Sequence, residues 1–253
     1  VELSALRAPV RLPINYNYHL TSLIYGLLER SSKDYSTFLH DEGYRVGAQR
    51  FKLFTYSQLH FERFELEPPE IVSLRGRMEW QISSPVSEFV EHLAQGLLSQ
   101  GQVQIGGVAL QIERIGTLAP PPFLERMKFT CLSPLVVSRA VDQDGKLMAR
   151  YYRHDEPGFS EAVRANLLRK HQLIDGETLS SSDLTITFDE SYIRKRGGQV
   201  YKLIDFKGTK IKGIFCPFVA EGSRELIKVG YEAGFGEKNS MGFGMVESVS
   251  FHV

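Results

Sequence analysis

TLAPPPF, residues 117–123, is the stretch on which the reading of this sequence turns. Consecutive prolines cannot donate ladder hydrogen bonds, and each fixes its own φ, so the segment stiffens a connection rather than joining a sheet. It leaves residues 1–116 on one side and 124–253 on the other, each long enough for a modest core of its own.

Upstream, an opening strand is expected within residues 1–9. Leu20, Leu23, Ile24, Leu27 and Leu28 then recur at helical spacing, with Tyr25 about 100° from Ile24 and off the centre of that stripe. A polar region runs to about Arg50. FKLFTYSQLHFERFEL (51–66) and IVSLRGRMEWQI (71–82) read as two strands. Ser84 reads as a helix N-cap with Pro85 at the first helical position, followed by Val86, Phe89, Val90, Leu93 and Leu97 on one face. VQIGGVALQIERI (103–115) closes this half as a strand or hairpin.

Downstream the order repeats. MKFTCLSPLVV (127–137) reads as a strand, and EPGFSEAVRANLLRKHQLI (156–174) as a helix with Phe159, Val163, Leu167 and Leu168 on one side. DLTITF (183–188), KIKGIFCPFV (210–219) and MGFGMVESVSF (241–251) read as strands, with a short helix near residues 224–229 before the last. Both halves therefore give β-α-β-β-α-β, and the fold class is α+β, two tandem ferredoxin-like domains. The expected division is 1–116, a linker at 117–123, and 124–253.

The chain has 30 basic and 30 acidic residues, which argues against a uniformly basic nucleic-acid binder. Residues 191–212 (SYIRKRGGQVYKLIDFKGTKIK) hold seven of the cations and one of the acids, so the remainder is net −6. That concentration fits either a basic binding surface or a solvated hairpin. Cys131 and Cys216 lie far apart in apolar runs, too few for a disulfide framework or zinc site, and read as reduced packing residues of a cytoplasmic protein. No apolar run approaches the roughly 20 residues needed to cross a bilayer, and residues 1–11 lack the pattern of a secretory signal.

GYEAGFGEKNSMGFGMV (230–246) sets Gly234, Gly236, Gly242 and Gly244 in two Gly-x-Gly pairs around Lys238, Asn239 and Ser240. Missing side chains let backbone approach another chain closely, with N–H groups free to face phosphate oxygens. No Gly-Lys-Ser/Thr follows, so this is not a nucleotide-binding loop. By composition alone it is a turn more readily than an RNA cradle. Taken whole, Gly-aromatic-Gly, a polar stretch and Gly-aromatic-Gly near the end of the chain resembles the signature of the RAMP superfamily. More narrowly, the chain resembles the CRISPR-associated repeat-RNA processing endoribonucleases. LPINYNYHLTSLIYGLLERSS (12–32), FLHDEG (38–43), FKLFTYSQL (51–59) and EPGFSEAVRANLLRKH (156–171) extend the likeness over nearly the full length.

That resemblance implies two ferredoxin-like domains, sequence-selective binding of repeat RNA, and metal-independent cleavage leaving a 2′,3′-cyclic phosphate and a 5′-hydroxyl. No cofactor is expected, and the residues offer no metal site, since the acids are scattered and no His-x-x-x-His occurs. Such cleavage needs a base for the ribose 2′-hydroxyl, an acid for the departing 5′-oxygen and a cation for the phosphorane. Of seven histidines, His40 stands where the family carries a catalytic one; Tyr25 and Lys52 match two other site positions. His40 is expected as base, Tyr25 as acid with its ordinary pKa near 10, and Lys52 as the cation, although the reverse acid–base assignment is chemically sound. Read without the family, Tyr25 is a helix-edge tyrosine, His40 a solvated histidine and Lys52 a surface lysine. The resemblance also makes Arg194, Lys195, Arg196, Lys202 and Lys207, with the glycine-rich loop, candidates for holding RNA. The expected partner is CRISPR repeat RNA, with other effector subunits and a homodimer left open and no membrane involved. The rival is a related binding subunit that holds guide RNA without cutting it.

Overall fold

A computed structural model describes residues 1–143, 145–176, 179 and 183–250. The first half carries β1 (Glu2–Ala5), α1 (Asn17–Ser31), β2 (His60–Phe61), β3 (Arg77–Glu79), α2 (Ser87–Leu98), β4 (Gln102–Ile105) and β5 (Val108–Arg114). These strands form one sheet in the order β4-β5-β1-β3-β2, every neighbouring pair antiparallel. The second half carries β6 (Arg126–Cys131), α3 (Phe159–Asp175), β7 (Leu184–Phe188), β8 (Phe218–Gly222), α4 (Arg224–Ala233) and β9 (Val246–Val249). Its sheet runs β7-β8-β6-β9, again antiparallel throughout. Counted within each half, both sheets place the last strand beside the first and the third between first and second. That is the ferredoxin-like arrangement, twice, with the last strand of the first half doubled into a hairpin through Gly106 and Gly107.

Each core follows from side-chain period. In β7 the inward residues are Leu184, Ile186 and Phe188, alternating with exposed threonines. In β6 Met127, Phe129 and Cys131 point inward, alternating with half-buried Lys128 and Thr130. They pack on Val163 and Leu167 of α3 and on Leu226 and Ile227 of α4. In the first half Leu20, Ile24, Leu27 and Leu28 of α1 meet Phe89, Leu93 and Leu97 of α2 over β1 and β5. Burying a side chain of this kind contributes roughly 1.5–3 kcal/mol. Cys131 and Cys216 are buried and unpaired, and Cys131 Sγ donates to the Cys216 carbonyl at 3.1 Å. Burial pushes their thiols up to about 12 and about 11. No helix among the described residues is long and apolar enough to cross a membrane.

Several expectations are corrected. Residues 51–66 are not one strand: Leu53 takes φ of 54°, a left-handed conformation, and the ladder pairing is broken into Phe51 at the end of a hairpin, Thr55–Tyr56, His60–Phe61 and Phe64–Glu67. Residues 71–82 likewise break into the ends of Glu70–Ser73, β3 and Ile82–Ser83. Ser84 does not cap α2. Its hydroxyl donates to the Leu53 carbonyl at 2.7 Å and accepts from Val86 N, so the helix starts at Ser87 and Val90 faces solvent. The strand expected at 127–137 ends at Cys131, and residues 210–219 split between a hairpin (Tyr201–Phe206 with Thr209–Ile214) and β8. Of MGFGMVESVSF only Val246–Val249 is strand, and Phe251 lies outside the described residues. The polar region before Arg50 holds a short helix, Lys33–Thr37, a π-helical turn, Phe38–Glu42, and a hairpin, Tyr44–Val46 with Gln49–Phe51.

Candidate active site

Tyr25 of α1 and Lys52 both reach the π-helical turn that carries His40, Tyr25 against its ring and Lys52 against its backbone. Tyr25 leaves α1 beside the apolar stripe, its ring against Phe54 at 6.2 Å and edge-to-face with His40 at 5.2 Å between centroids. The carbonyl of Tyr25 accepts from Ser36 Oγ, which ties α1 to the short helix that precedes the turn. The wider coil at Phe38–Glu42 inserts a residue into helical register, a distortion frequent at functional sites, and brings His40 to the surface with its side chain 69% exposed. Gly43 ends the turn at φ 62° and ψ −171°; a Cβ there would stand 2.7 Å from the Phe51 carbonyl oxygen and 3.1 Å from Lys52 Cδ.

Lys52 reaches the backbone of the same turn. Its ammonium donates to the Leu39 carbonyl and, at 2.7 Å, to the His40 carbonyl. Two of three protons therefore hold the turn, and the third is free for an anion. Burial, then Arg50, lowers the Lys52 pKa, with Asp41 opposing. Asp41 Oδ1 lies 2.7 Å from His40 Nδ1, a contact that fits a proton on Nδ1 and leaves Nε2 as the basic nitrogen. Arg50 Nη1 donates to the Asp41 carbonyl at 2.9 Å, placing a second cation beside the turn. Burial pushes the Tyr25 phenol up to about 12, so it is a proton donor throughout the neutral range.

The glycine-rich loop sits apart, against α1. Gly234, Gly236, Gly242, Gly244 and Asn239 are buried, while Lys238 and Ser240 are half-buried. A Cβ on Gly242 would meet Tyr56 and Asn17 side chains, and a Cβ on Gly236 or Gly244 would collide with the Val136 or Phe235 carbonyl oxygen. The missing side chains are filled by protein from both halves: Asn17 Nδ2 donates to Met241 O at 3.0 Å, Thr21 Oγ1 to Ser240 O at 3.1 Å and Thr55 Oγ1 to Phe243 O at 3.0 Å.

A family model described as the N-terminal part of CRISPR-associated protein Cas6 matches residues 11–116, and one described as its C-terminal part matches residues 118–248. The chain belongs to the Cas6 family. Among its relatives is a CRISPR-associated endoribonuclease Cas6 of Methanocaldococcus jannaschii, 29% identical over 94% of this chain and 87% of that one. Another is the CRISPR-associated endoribonuclease Cas6 of Pyrococcus furiosus, 30% identical over 94% and 83%. A solved structure described as a RAMP protein binding different RNA substrates superposes with a TM-score of 0.83 at 25% identity, covering 99% and 98% of the two chains.

In this Cas6-family chain the basic candidates spread along one helix and one hairpin. Arg194 pairs with Glu190 at 3.3 Å, Lys195 is exposed, and Arg196 lies over the Tyr192 ring at 5.4 Å. Lys207 is exposed at the hairpin turn and covers the Tyr18 ring of α1 at 4.1 Å. Lys202 is half-buried, donates to Gln58 Oε1 of the first half and stands 4.1 Å over Phe215. Sequence reading missed Asp41, Arg50 and Gly43. It also missed Lys170, which is 2% exposed on α3, with burial drawing its pKa down to about 7 against the pull of Glu237. A signal for Lys170 was present: it falls on the apolar face of its helix, seven residues after Val163.

Proposed function

We propose that this chain cuts precursor CRISPR RNA within its repeats as a metal-independent endoribonuclease. The ribose 2′-oxygen attacks the adjacent phosphorus, the bond to the 5′-oxygen breaks, and a 2′,3′-cyclic phosphate and a 5′-hydroxyl remain. His40 takes the 2′-hydroxyl proton, Tyr25 gives a proton to the departing 5′-oxygen, and Lys52 neutralises the phosphorane. The observation that carries this reading is the convergence of Tyr25, His40 and Lys52 on one turn. The names of its relatives support it, and a subunit that only held guide RNA would have no use for a proton-transfer set. The proposed division is a domain of residues 1–116 carrying the chemistry, a connector at 117–123 and a domain of 124–253. Repeat RNA would lie on Arg194, Lys195, Arg196 and Lys207, with Lys238 and Ser240 at the edge of the loop, and its affinity would fall steeply with salt. Lys202, Asn239 and the four glycines would contribute by shaping that surface.

The test is incubation of the protein with its host's repeat RNA in EDTA, beside His40→Ala, with both product ends mapped. One cut with a cyclic-phosphate end, absent in the variant, is expected. Tight binding without cleavage by either protein would make the chain a guide-holding subunit, and a requirement for added metal would remove the mechanism.

A further inference from the structure

Among the described residues, no carboxylate is in contact with Lys170. Its Nζ lies 2.6 Å from Gly234 O, 2.9 Å from Gly236 O and 2.7 Å from Asn239 Oδ1, so each ammonium proton has one acceptor, all within the glycine-rich loop. Asn239 continues the closure by donating to Phe235 O and Phe243 O. Glu237, the charged group drawn toward Lys170, is itself turned to Ser138, whose N–H and hydroxyl it accepts. A fully buried cation holding three oxygens of one loop fixes that loop's shape, because loss of the cation strands three acceptors.

The outer side of the loop presents carbonyl oxygens to the first half. Met241, Ser240 and Phe243 accept from Asn17, Thr21 and Thr55. Thr21 lies one helical turn before Tyr25 on α1, and Thr55 lies three residues after Lys52. Tyr56, next to Thr55, donates its hydroxyl to Asn17 O at 2.9 Å, closing the circuit. The two segments that carry Tyr25 and Lys52 are thus both fastened to a loop whose shape Lys170 sets. We propose that Lys170 is a positioning residue for RNA cleavage, acting through the glycine-rich loop to hold Tyr25 and Lys52 in register. The inference rests on the catalytic reading given above, and it gives the buried side of the loop a part in aligning the site, beside the RNA contacts proposed for Lys238 and Ser240 at its edge.

The full-length protein and its Thr55→Val, Lys170→Met and doubly substituted variants would be compared for single-turnover cleavage rate and, separately, for repeat-RNA affinity. Each single change is expected to slow cleavage about 10- to 100-fold, the range a misplacement of ~1 Å produces. Affinity is expected to stay within about threefold, well under the tenfold that 1.4 kcal/mol represents. The double variant should be no slower than the slower single, since both act through one loop. Wild-type rates in Thr55→Val, losses of affinity that match the losses of rate, or additive losses in the double variant would each overturn the proposal. Should Lys170→Met show no cooperative melting transition, Thr55→Val alone decides. A wild-type chain that binds RNA without cutting it would overturn the catalytic reading and this one with it, whereas cutting unaffected by the variants overturns this one alone.

Discussion

Gly96→Ala should destabilise this protein, although the same change in the middle of an ordinary helix helps. Gly96 lies within α2 where that helix crosses α1, and a Cβ built there would stand 2.8 Å from the carbonyl carbon of Leu27 and 3.1 Å from its Cα, with the carbonyl oxygen nearer still. These are backbone atoms, so no rotamer change relieves them. Restoring carbon contacts to about 3.5 Å requires the two helices to part by roughly 0.7 Å, against a core in which Leu27 and Phe89 are almost fully buried. Overpacking of this severity costs about 3 kcal/mol, and the helix propensity of alanine returns about 1 kcal/mol. The net loss of about 2 kcal/mol corresponds to a fall in Tm of roughly 4–8 °C for a chain of this size. Gly26, on α1, is the matched control: nothing lies within 4 Å of a Cβ there, so Gly26→Ala should raise Tm by roughly 2–4 °C. Thermal unfolding of the three proteins in one buffer, by calorimetry or circular dichroism, reads both signs. A Tm that rises in Gly96→Ala as it does in Gly26→Ala would show that the α1–α2 spacing is not set by this contact.

Lys52→Met removes both the clamp on the π-helical turn and the proposed phosphorane cation, so single-turnover cleavage should fall about 100-fold or more; an unchanged rate would remove Lys52 from the site. With its phenol pushed up to about 12 by burial, Tyr25 should contribute no ionisation below about pH 10. Spectrophotometric titration of tyrosinate in wild type and Tyr25→Phe checks this, and a difference at lower pH would undo the acid assignment. Asp189 caps the helix Glu190–Lys195 by accepting from Tyr192 N at 3.0 Å, and hydrogen bonds from Ser191 and Tyr192 hold its carboxyl below the usual range. A depressed carboxylate stabilises above its unfolded pKa and loses that contribution as pH falls through the folded one. Asp189→Ala should therefore cost about 1 kcal/mol in urea unfolding at neutral pH, and that difference should shrink below about pH 4; a difference that grows in acid would contradict the sign.

The doubled topology was legible because its core strands obey simple periods. Leu184, Ile186 and Phe188 alternate, Val163 and Leu167 repeat at helical spacing, and the prolines at 120–122 interrupt both patterns. What escaped reading obeys no period. Leu53 is an apolar residue in an apolar run, and nothing local announces its left-handed φ, which answers to the Ser84 hydroxyl and the packing of Phe54 against Phe89. Residues 32–50 look polar because their helix, turn and hairpin each bury little. The site residues were visible only through family resemblance, and the burial of the four loop glycines was hidden because a glycine that faces protein and one that faces a ligand have the same letter. The partners that fill those gaps, Asn17, Tyr56, Val136 and Phe235, lie as far as 225 residues away in the chain.

The two copies of the fold also differ in length at one connection that both possess. Between the first helix and the second sheet strand, the first copy spends residues 32–59, whereas the second copy spends residues 176–183. His40 and Lys52 both lie inside the longer stretch while Tyr25 stands on α1, so the chemistry proposed here is shared between the longer connection and the scaffold helix it folds against. The longer connection costs little in loop closure, which grows only as a logarithm of length, and it supplies Leu39, Phe54 and Tyr56 to the first core. Shortening that connection to the length found in the second copy should abolish the cleaving centre and cost stability with it, because those three side chains are fully buried in that core.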